Sequence, residues 1–564
     1  MTGHRFVADP SVSISRGIPL SEEAGLGELT LSGFIREVTE RYGPREALVD
    51  GDARWSYEDL WNRSMAVARA LVARGIGKGE RVGILMTNRA EFLSAVFGTA
   101  LAGGVAATLS TFSTPAELEH LVAASACSIL LIERHVLKKD FAAMLAEIDP
   151  ALASAAGPGG IASVRFPYLR HAASVDGEPL GAVGDWAGFL APGAEVAPAR
   201  VAARAATVAP ADPGVLFFSS GSTGKPKGIL SAHRGVTLQM WRMGVQQGLD
   251  EGVRTWTANG FFWSGNFAMA VGATLARGGT LLLQRLFNPA EAIDLMARER
   301  ATFLFAWPHQ WKQLMDAPNW TAADLSTLRH VDRDSPLTAH PAITTDWTEP
   351  RHCYGNTETF TLSTAYPANT PRAVAGASHG LPLPGITIKI VDPLTGRAVP
   401  LGERGEVAVK GPTLMLGYVG IPLDDTLDDE GYFRTGDGGY LDAEGRLFWE
   451  GRLNDIIKTG GANVSPVEID EVIRDCPGVK VSQTVGVPDE LLGELVVSCI
   501  VPQEGAALDE AGVRAFAKTR LASYKVPRRV LFLTAGQLQM TGSAKVKTAD
   551  LRALAEKALR DGAV

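Results

Sequence analysis

Two lysines, four hydroxyls and three glycines crowd into ten residues: Ser219, Ser220, Gly221, Ser222, Thr223, Gly224, Lys225, Pro226, Lys227 and Gly228. The apolar run Val215-Leu216-Phe217-Phe218 precedes them and reads as a buried strand. Glycines let backbone N–H groups approach an anion, hydroxyls add donors and lysines add charge, a chemistry suited to polyphosphate. The stretch is not a Walker loop, because Gly221-x-x-Gly224-Lys225 is too short and Pro226 stands where Ser or Thr is needed. Taken alone, it could equally be a surface turn.

Four further stretches carry polar groups that a core does not need. Tyr354-Gly355-Asn356-Thr357-Glu358 puts an aromatic, a hydroxyl and a carboxylate within one turn. Arg434-Thr435-Gly436-Asp437 places an acid at a tight bend, and Gly451 to Pro466 holds Arg452, Lys458, Gly460, Gly461 and Asn463. Thr541-Gly542-Ser543-Ala544-Lys545 sets a lysine in a loop near the end. Each has a plain structural reading by itself: a turn, a helix start, a loop or a solvated lysine.

These groups need a scaffold, and the apolar pattern supplies one. Helices are expected over 31–42 and 57–73, with a hairpin around Asp50-Gly51-Asp52. Strands over 81–86, 105–109 and 128–132 alternate with helices over 90–102 and 115–124, the second opened by a Thr114…Glu117 capping box. Such alternation implies parallel sheet covered by helices. Residues 150–213, rich in Ala, Gly and Pro, read as a long surface excursion. A second α/β layer follows, with strands over 280–283 and 302–305 around a helix capped by Asn288-Pro289. From Leu381 short alternating strands predict a β-rich section. From Asp455 the pattern becomes α+β over about a hundred residues, the size of a domain. The expected class is therefore α/β: residues 1–453 form a large domain of two α/β layers plus a β-rich subdomain, and residues 454–564 a small mobile α+β domain.

Composition bounds the partners. The chain has 564 residues and a formal net charge of -8, which argues against a nucleic-acid partner. Cys127, Cys353, Cys476 and Cys499 are dispersed, without metal-type spacing, so a reducing cytoplasmic setting is expected. The N-terminal ten residues lack the apolar core of a signal peptide. The uncharged run 92–113 imitates a membrane span, but Gly103-Gly104 divides it into an expected buried helix and strand.

In their order, the five polar stretches resemble the adenylate-forming superfamily of acyl-CoA synthetases, luciferases and peptide-synthetase adenylation domains. The section from Lys458 to Ile469 is most similar to the acyl-CoA synthetase branch. The resemblance implies a two-step reaction: a carboxylic acid attacks the α-phosphate of ATP, giving acyl-AMP and pyrophosphate, and the thiol of CoA then displaces AMP. It implies that Ser219, Ser220, Gly221, Ser222, Thr223, Gly224 and Lys227 hold phosphates, that Tyr354 lies against adenine, and that Thr357 contacts phosphate. By the same resemblance Glu358 holds Mg2+, Asp437 the ribose hydroxyls, and Arg452 faces the nucleotide. Lys545 bridges carboxylate and α-phosphate in the first step. Lys458, Gly460 and Gly461 receive CoA in the second, after the small domain rotates about Asn454. The acyl pocket is expected among Phe262, Trp263, Asn266, Arg333 and Gly355. A carrier-protein thiol in place of CoA, an inactive nucleotide-binding relative and a homodimer remain open alternatives.

Several positions depart from the family pattern. Asn454 replaces a charged hinge, Ala544 and Gln539 replace Gly and Pro in the lysine loop, and Trp263 stands where His is frequent. Cys353 replaces Gly and is read as a small pocket-wall residue, not a catalytic thiol. Asp332-Arg333-Asp334 makes charged a loop that commonly carries glycines. Arg333 either pairs with a neighbouring aspartate in water or reads a polar substituent of the acid. Phe261, Phe262 and Trp263 suggest an apolar cavity, although they could equally be core residues, and Gly265 suggests depth. The expected acid is therefore hydrophobic, and bulky or cyclic.

Overall fold

The computed structural model describes residues 12–157, 160–219, 226–350, 352–453, 455, 457–459, 462–489, 492–521, 525–538 and 548–561. An eight-stranded sheet runs in the order Val183–Asp185, His171–Ser174, Ile129–Ile132, Arg81–Leu85, Val105–Thr108, Pro213–Phe218, Gly228–Ala232, Gly417–Tyr418. Its first six strands are parallel, and the last two pair antiparallel. A second sheet has the order Phe303–Phe305, Arg254–Thr257, Thr280–Leu283, Glu46–Asp50, Ala53–Ser56, parallel except at the final hairpin.

Strand residues alternate between two cores, as a pleat buried on both faces requires. Val82, Ile84, Ile129, Leu131, Val215 and Phe217 face a core shared with Leu48 and Leu281 of the second sheet. Leu85, Leu130, Ile132, Leu216 and Phe218 face the opposite side. The helix Ala90–Leu101 packs on the first sheet and under the helices Leu31–Tyr42 and Tyr57–Ala73, and every residue of it but Glu91 is buried. This explains the uncharged run that imitates a membrane span. Among the described residues no helix is long and apolar enough to cross a membrane. Gly98 lets this helix press against the helix Tyr57–Ala73, because a Cβ there would lie 2.7 Å from the Ser64 carbonyl oxygen. The expected capping box at Thr114 with Glu117 is present, and a second one forms at Ser56 with Asp59.

A third sheet, antiparallel throughout, has the order Ile14–Arg16, Thr387–Val391, Gly405–Lys410, Phe433–Leu441, Leu447–Arg452. The strands that follow belong to a separate sheet, in which Ile457–Thr459, Ala462–Val464, Gly493–Pro502 and Val479–Asp489 are joined by the parallel strand Arg529–Phe532. Helices Pro466–Arg474 and Glu510–Lys518 cover one face, and Thr548–Arg560 the other.

Three expectations need correction. The excursion 150–213 adds the strands His171–Ser174 and Val183–Asp185 to the large sheet and packs the helix Pro198–Ala205 against the helices Tyr57–Ala73 and Ala90–Leu101. The strand sequence His-Ala-Ala-Ser has little intrinsic β preference; pairing with Ile129–Ile132 creates the strand. Ile14–Arg16, within the expected irregular lead-in, is a strand paired antiparallel with Thr387–Val391. Asp437 lies inside the nine-residue strand Phe433–Leu441, not at a tight bend. Gly436 takes φ 73° there, so the turn-like Thr-Gly-Asp chemistry reports a kink within a ladder.

His233 opens the helix His233–Gln246 and accepts a hydrogen bond at Nδ1 from Leu31 N–H, 3.2 Å away. Burial pushes its pKa down to about 4. His379, which accepts from Trp449 N–H, is pushed down to about 4 by burial and by His352. A depressed histidine contributes stability fully present above the unfolded value of 6.5 and lost as pH falls toward 4, about 3 kcal/mol for each. We therefore expect His233→Gln to lower stability at pH 7 but to flatten its decline between pH 6.5 and 4. Thermal unfolding over a pH series measures this, and a decline as steep as the parent's would refute it.

Candidate active site

Ligand sites in open α/β sheets lie beyond the carboxyl ends of the strands. Here the ends of both parallel sheets open toward the same groups of side chains. The chain leaves Pro213–Phe218 at Ser219 and returns at Lys227. Ser219 N–H donates to Lys227 O and Lys227 N–H to Ser219 Oγ, both at 3.0 Å, closing the neck of the expected phosphate loop. His120 Nε2 bonds to Pro226 O at 2.7 Å. Ser220, Gly221, Ser222, Thr223 and Gly224 lie outside the described residues.

Beside this neck stands the segment 354–364. Tyr354 N–H donates to Thr364 O, and Ser363 N–H to Tyr354 O, tying its ends together. Phe360 and Thr361 both have positive φ, 49° and 81°, a strained pair of non-glycine residues. The strain is held by the buried Phe360 ring, 5.7 Å from Phe217, and by Gln239 Nε2 donating to Leu362 O at 2.7 Å. Gly355 is required here, since a Cβ would lie 1.7 Å from Thr361 O. Its place in the expected pocket wall thus comes from backbone packing. The bend projects Thr357 and Glu358 from the short 3-10 helix Thr357–Thr359. Glu358 accepts a 2.7 Å hydrogen bond at Oε1 from the Tyr418 hydroxyl, and its second oxygen has no partner among the described residues.

The donor set fits Mg2+. Among the described residues no cluster of three metal-ligating side chains exists. One carboxylate beside a phosphate loop is nevertheless the usual protein share of a Mg2+ site, because substrate phosphates and water complete the octahedron. Glu358 would hold the ion, which neutralises phosphate charge when bound.

A second group forms across the third sheet. Asp437 and Arg452 are register partners in the antiparallel pair Phe433–Leu441 and Leu447–Arg452. Arg452 Nε lies 3.1 Å from Asp437 Oδ1, and the Tyr354 hydroxyl donates to Asp437 Oδ2 at 2.7 Å. Asp437 and Tyr354 are buried, while Arg452 reaches solvent. Burial and the adjoining Asp437 carboxylate push the Tyr354 phenol well above its ordinary pKa, so it remains a donor.

The third group is aromatic. Thr257 pairs with Phe305, so the segment after Arg254–Thr257 lies beside the one after Phe303–Phe305. The rings of Phe262 and Trp263 are 5.3 Å apart, and those of Phe305 and Trp307 5.8 Å. Phe112, from the strand end of the other sheet, meets Phe262 edge-on at 5.6 Å. A Cβ at Gly265 would touch nothing within 4 Å, so space does lie beside it. Asn266 is buried and its amide is engaged within the wall: Oδ1 accepts from Thr257 Oγ1 at 2.7 Å, and Nδ2 donates to Asn259 O at 2.6 Å. It holds the wall instead of lining it.

Arg333 is exposed in a loop whose aspartates are otherwise engaged. Asp332 accepts Asp334 N–H and Glu349 N–H, and Asp334 pairs with Arg372 at 3.1 Å. The Cys353 thiol is pushed up to about 11 by burial, which keeps it protonated. Lys458 is exposed in the strand Ile457–Thr459. Asn454, Gly460, Gly461 and Lys545 lie outside the described residues.

Two residues escaped the reading of the sequence. Tyr418 touches Glu358, and Asn88 holds the aromatic wall: its Nδ2 donates to Asn259 O at 2.7 Å and its Oδ1 accepts from Phe261 N–H at 2.8 Å. Both act through pairings far apart in the chain. For the Tyr354–Asp437 pair we expect Tyr354→Phe to raise the KM for ATP about tenfold, the cost of leaving a buried carboxylate short of one donor. Pyrophosphate exchange at varied ATP measures it, and an unchanged KM would separate the pair from nucleotide binding.

Comparison with known proteins agrees with this arrangement. The model for "AMP-binding enzyme" matches residues 35–419, and that for the "AMP-binding enzyme C-terminal domain" matches residues 468–545. The chain is 30% identical over 538 residues to a 3-[(3aS,4S,7aS)-7a-methyl-1,5-dioxo-octahydro-1H-inden-4-yl]propanoyl:CoA ligase of Mycobacterium tuberculosis, covering 93% of this chain and 99% of the relative. It is 30% identical over 521 residues to a feruloyl-CoA synthase of Amycolatopsis, covering 90% and 95%. Its fold is similar to that of ATP-bound MatB from Rhodopseudomonas palustris, with a TM-score of 0.76, 25% identity and coverage of 93% and 99%. The chain belongs to the AMP-binding enzyme family, in its acyl-CoA synthetase branch, and is an AMP-forming acid–thiol ligase that works with ATP, Mg2+ and CoA.

Proposed function

We propose that this ligase activates a hydrophobic, bulky or cyclic carboxylic acid. The observation that carries the reading is a pair of aromatic groups at strand ends, Phe112, Phe262 and Trp263 in one and Phe305 with Trp307 in the other, set side by side by the pairing of Thr257 with Phe305. Trp307 and Phe112 remain 47% and 53% exposed, so an apolar acid seated there would cover aromatic surface that water now reaches. Two relatives add support, since their names specify a fused bicyclic acid and an aromatic one.

In this reading Ser219 to Gly224 and Lys227 hold the outer phosphates, Tyr354 lies against adenine, Thr357 contacts phosphate and Asp437 with Arg452 takes the ribose side. Lys545 bridges the acid and the α-phosphate. A carboxylate oxygen attacks the α-phosphorus, and the bond to pyrophosphate breaks. The sulfur of CoA, admitted past Lys458, Gly460 and Gly461, then attacks the acyl carbon. The acyl–oxygen bond breaks and AMP leaves. Two anions must approach in the first step, so fixed cations and oriented donors in a water-poor cleft do most of the work. Residues 454–564 act as the mobile unit, with Asn454 as its hinge.

An assay for AMP and pyrophosphate release across aliphatic, aromatic and fused-ring acids tests the substrate class. We expect ring-bearing acids to lead. Trp307→Ala should raise their KM about tenfold, roughly the value of half an aromatic side chain covered by ligand, and leave the KM for ATP unmoved. Equal turnover of short aliphatic acids would reject the reading. The division of labour predicts that Lys545→Ala lowers adenylation by about a thousandfold, a loss of the size seen for one electrostatic group in a catalytic site, while supplied acyl-AMP still yields thioester. Equal loss in both steps would refute that division.

A further inference from the structure

The short strand Gly417–Tyr418 closes the edge of the eight-stranded sheet, with Tyr418 opposite Ile229. Leu416 N–H donates to Leu230 O at 2.7 Å, and Val419 N–H to Gly228 O at 2.8 Å, so the backbone on both sides of Tyr418 is fixed beside the returning arm of the phosphate loop. Two site groups of opposite charge converge on its half-buried side chain. Lys227 Nζ lies 4.9 Å from the ring centroid, and the hydroxyl donates to Glu358 Oε1 at 2.7 Å. Met415 N–H donates to Glu358 O at 2.7 Å, so the same segment grips that residue twice. Among the described residues Lys227 and Glu358 form no ion pair: the ammonium sits over the ring's face and the carboxylate at its edge.

We propose that Tyr418 is a positioning residue that holds Lys227 and Glu358 in place and keeps them from neutralising each other. This rests on the reading of Glu358 as the Mg2+ carboxylate. A lysine and a glutamate facing one phosphate site would otherwise collapse into a salt bridge, removing the cation from the phosphates and the carboxylate from the metal. The ring face attracts an ammonium through its quadrupole and binds it without quenching its charge. The phenol occupies one carboxylate oxygen as a neutral donor and leaves the other for a metal, as outer-shell partners of metal ligands do.

Direct Mn2+ binding tests this. Free Mn2+ is followed by electron paramagnetic resonance during titration of the full chain with a non-hydrolysable ATP analogue, and analogue affinity is measured separately without metal. Tyr418→Phe keeps the ring and loses the donor. It should weaken Mn2+ binding about tenfold, the usual cost of losing an outer-shell partner, and leave metal-free analogue affinity unchanged. Tyr418→Leu loses both functions and should weaken metal-free analogue binding as well, about threefold or more. Glu358→Gln sets the reference, and Tyr418→Phe combined with Glu358→Gln should bind Mn2+ no worse than Glu358→Gln alone. If Glu358→Gln binds Mn2+ like the parent, the metal reading fails and this inference falls with it. If Glu358→Gln loses Mn2+ while Tyr418→Phe keeps it, or if the two losses multiply, the metal reading stands and the role of Tyr418 is overturned. Tyr418→Phe is nearly isosteric, and a thermal midpoint close to the parent's confirms that it folds.

Discussion

A helix with almost no surface of its own sets the geometry of this molecule. Ala90–Leu101 is buried except at Glu91, and its apolar side chains serve a core that both parallel sheets share. An element hydrophobic on every side must be covered on every side, and here the strands Arg81–Leu85 and Val105–Thr108 and the helices Leu31–Tyr42, Tyr57–Ala73 and Pro198–Ala205 cover it. Its first turn also reaches the site: the Phe92 ring stacks edge-on against Phe261 at 5.6 Å, and Asn88 just before it clamps the backbone at Asn259 and Phe261. The burial that joins the layers therefore also sets the aromatic wall.

On that frame the site solves an electrostatic problem. It must gather phosphates and a carboxylate, all negative, while keeping carboxylates of its own. Each of those carboxylates has a dedicated partner. Asp437 lies between Arg452 and the Tyr354 hydroxyl, and Glu358 is held by Tyr418. Phenols suit these places because burial keeps them protonated: both Tyr354 and Tyr418 are pushed above their ordinary pKa by burial and by the carboxylate each contacts. They donate without adding positive charge. The strained bend at Phe360 and Thr361 is tolerated because Phe217, Gln239 and Thr364 overdetermine it, and it leaves Glu358 within reach of Tyr418 at the sheet edge.

The elements with strong periodicity or caps were legible from residues alone. Helices Leu31–Tyr42 and Tyr57–Ala73, and the capping box at Thr114, carry their signals locally. The strand His171–Ser174 carries none, because its partner rather than its side chains makes it a strand. The eleven-residue strand Val479–Asp489 was hidden in another way: glycine, proline and polar residues interrupt its apolar pattern, and pairing along Gly493–Pro502 overrides them.

The same line divides the site. The sequence alone determined the chemistry on offer, since hydroxyls, glycines and lysines between Ser219 and Gly228, the acids Glu358 and Asp437, and the arginine at 452 are properties of residue type and local order. Tertiary structure decided which of them meet. Asp437 faces Arg452 because two strands share a register, and Tyr418 touches Glu358 and Lys227 because a two-residue strand pairs at a sheet edge. Asn266 turned inward, and Gly355 proved to be a packing requirement. The reason is physical: hydrogen bonds and ring contacts act over a few ångströms, and only folding brings residues far apart in the chain within that range.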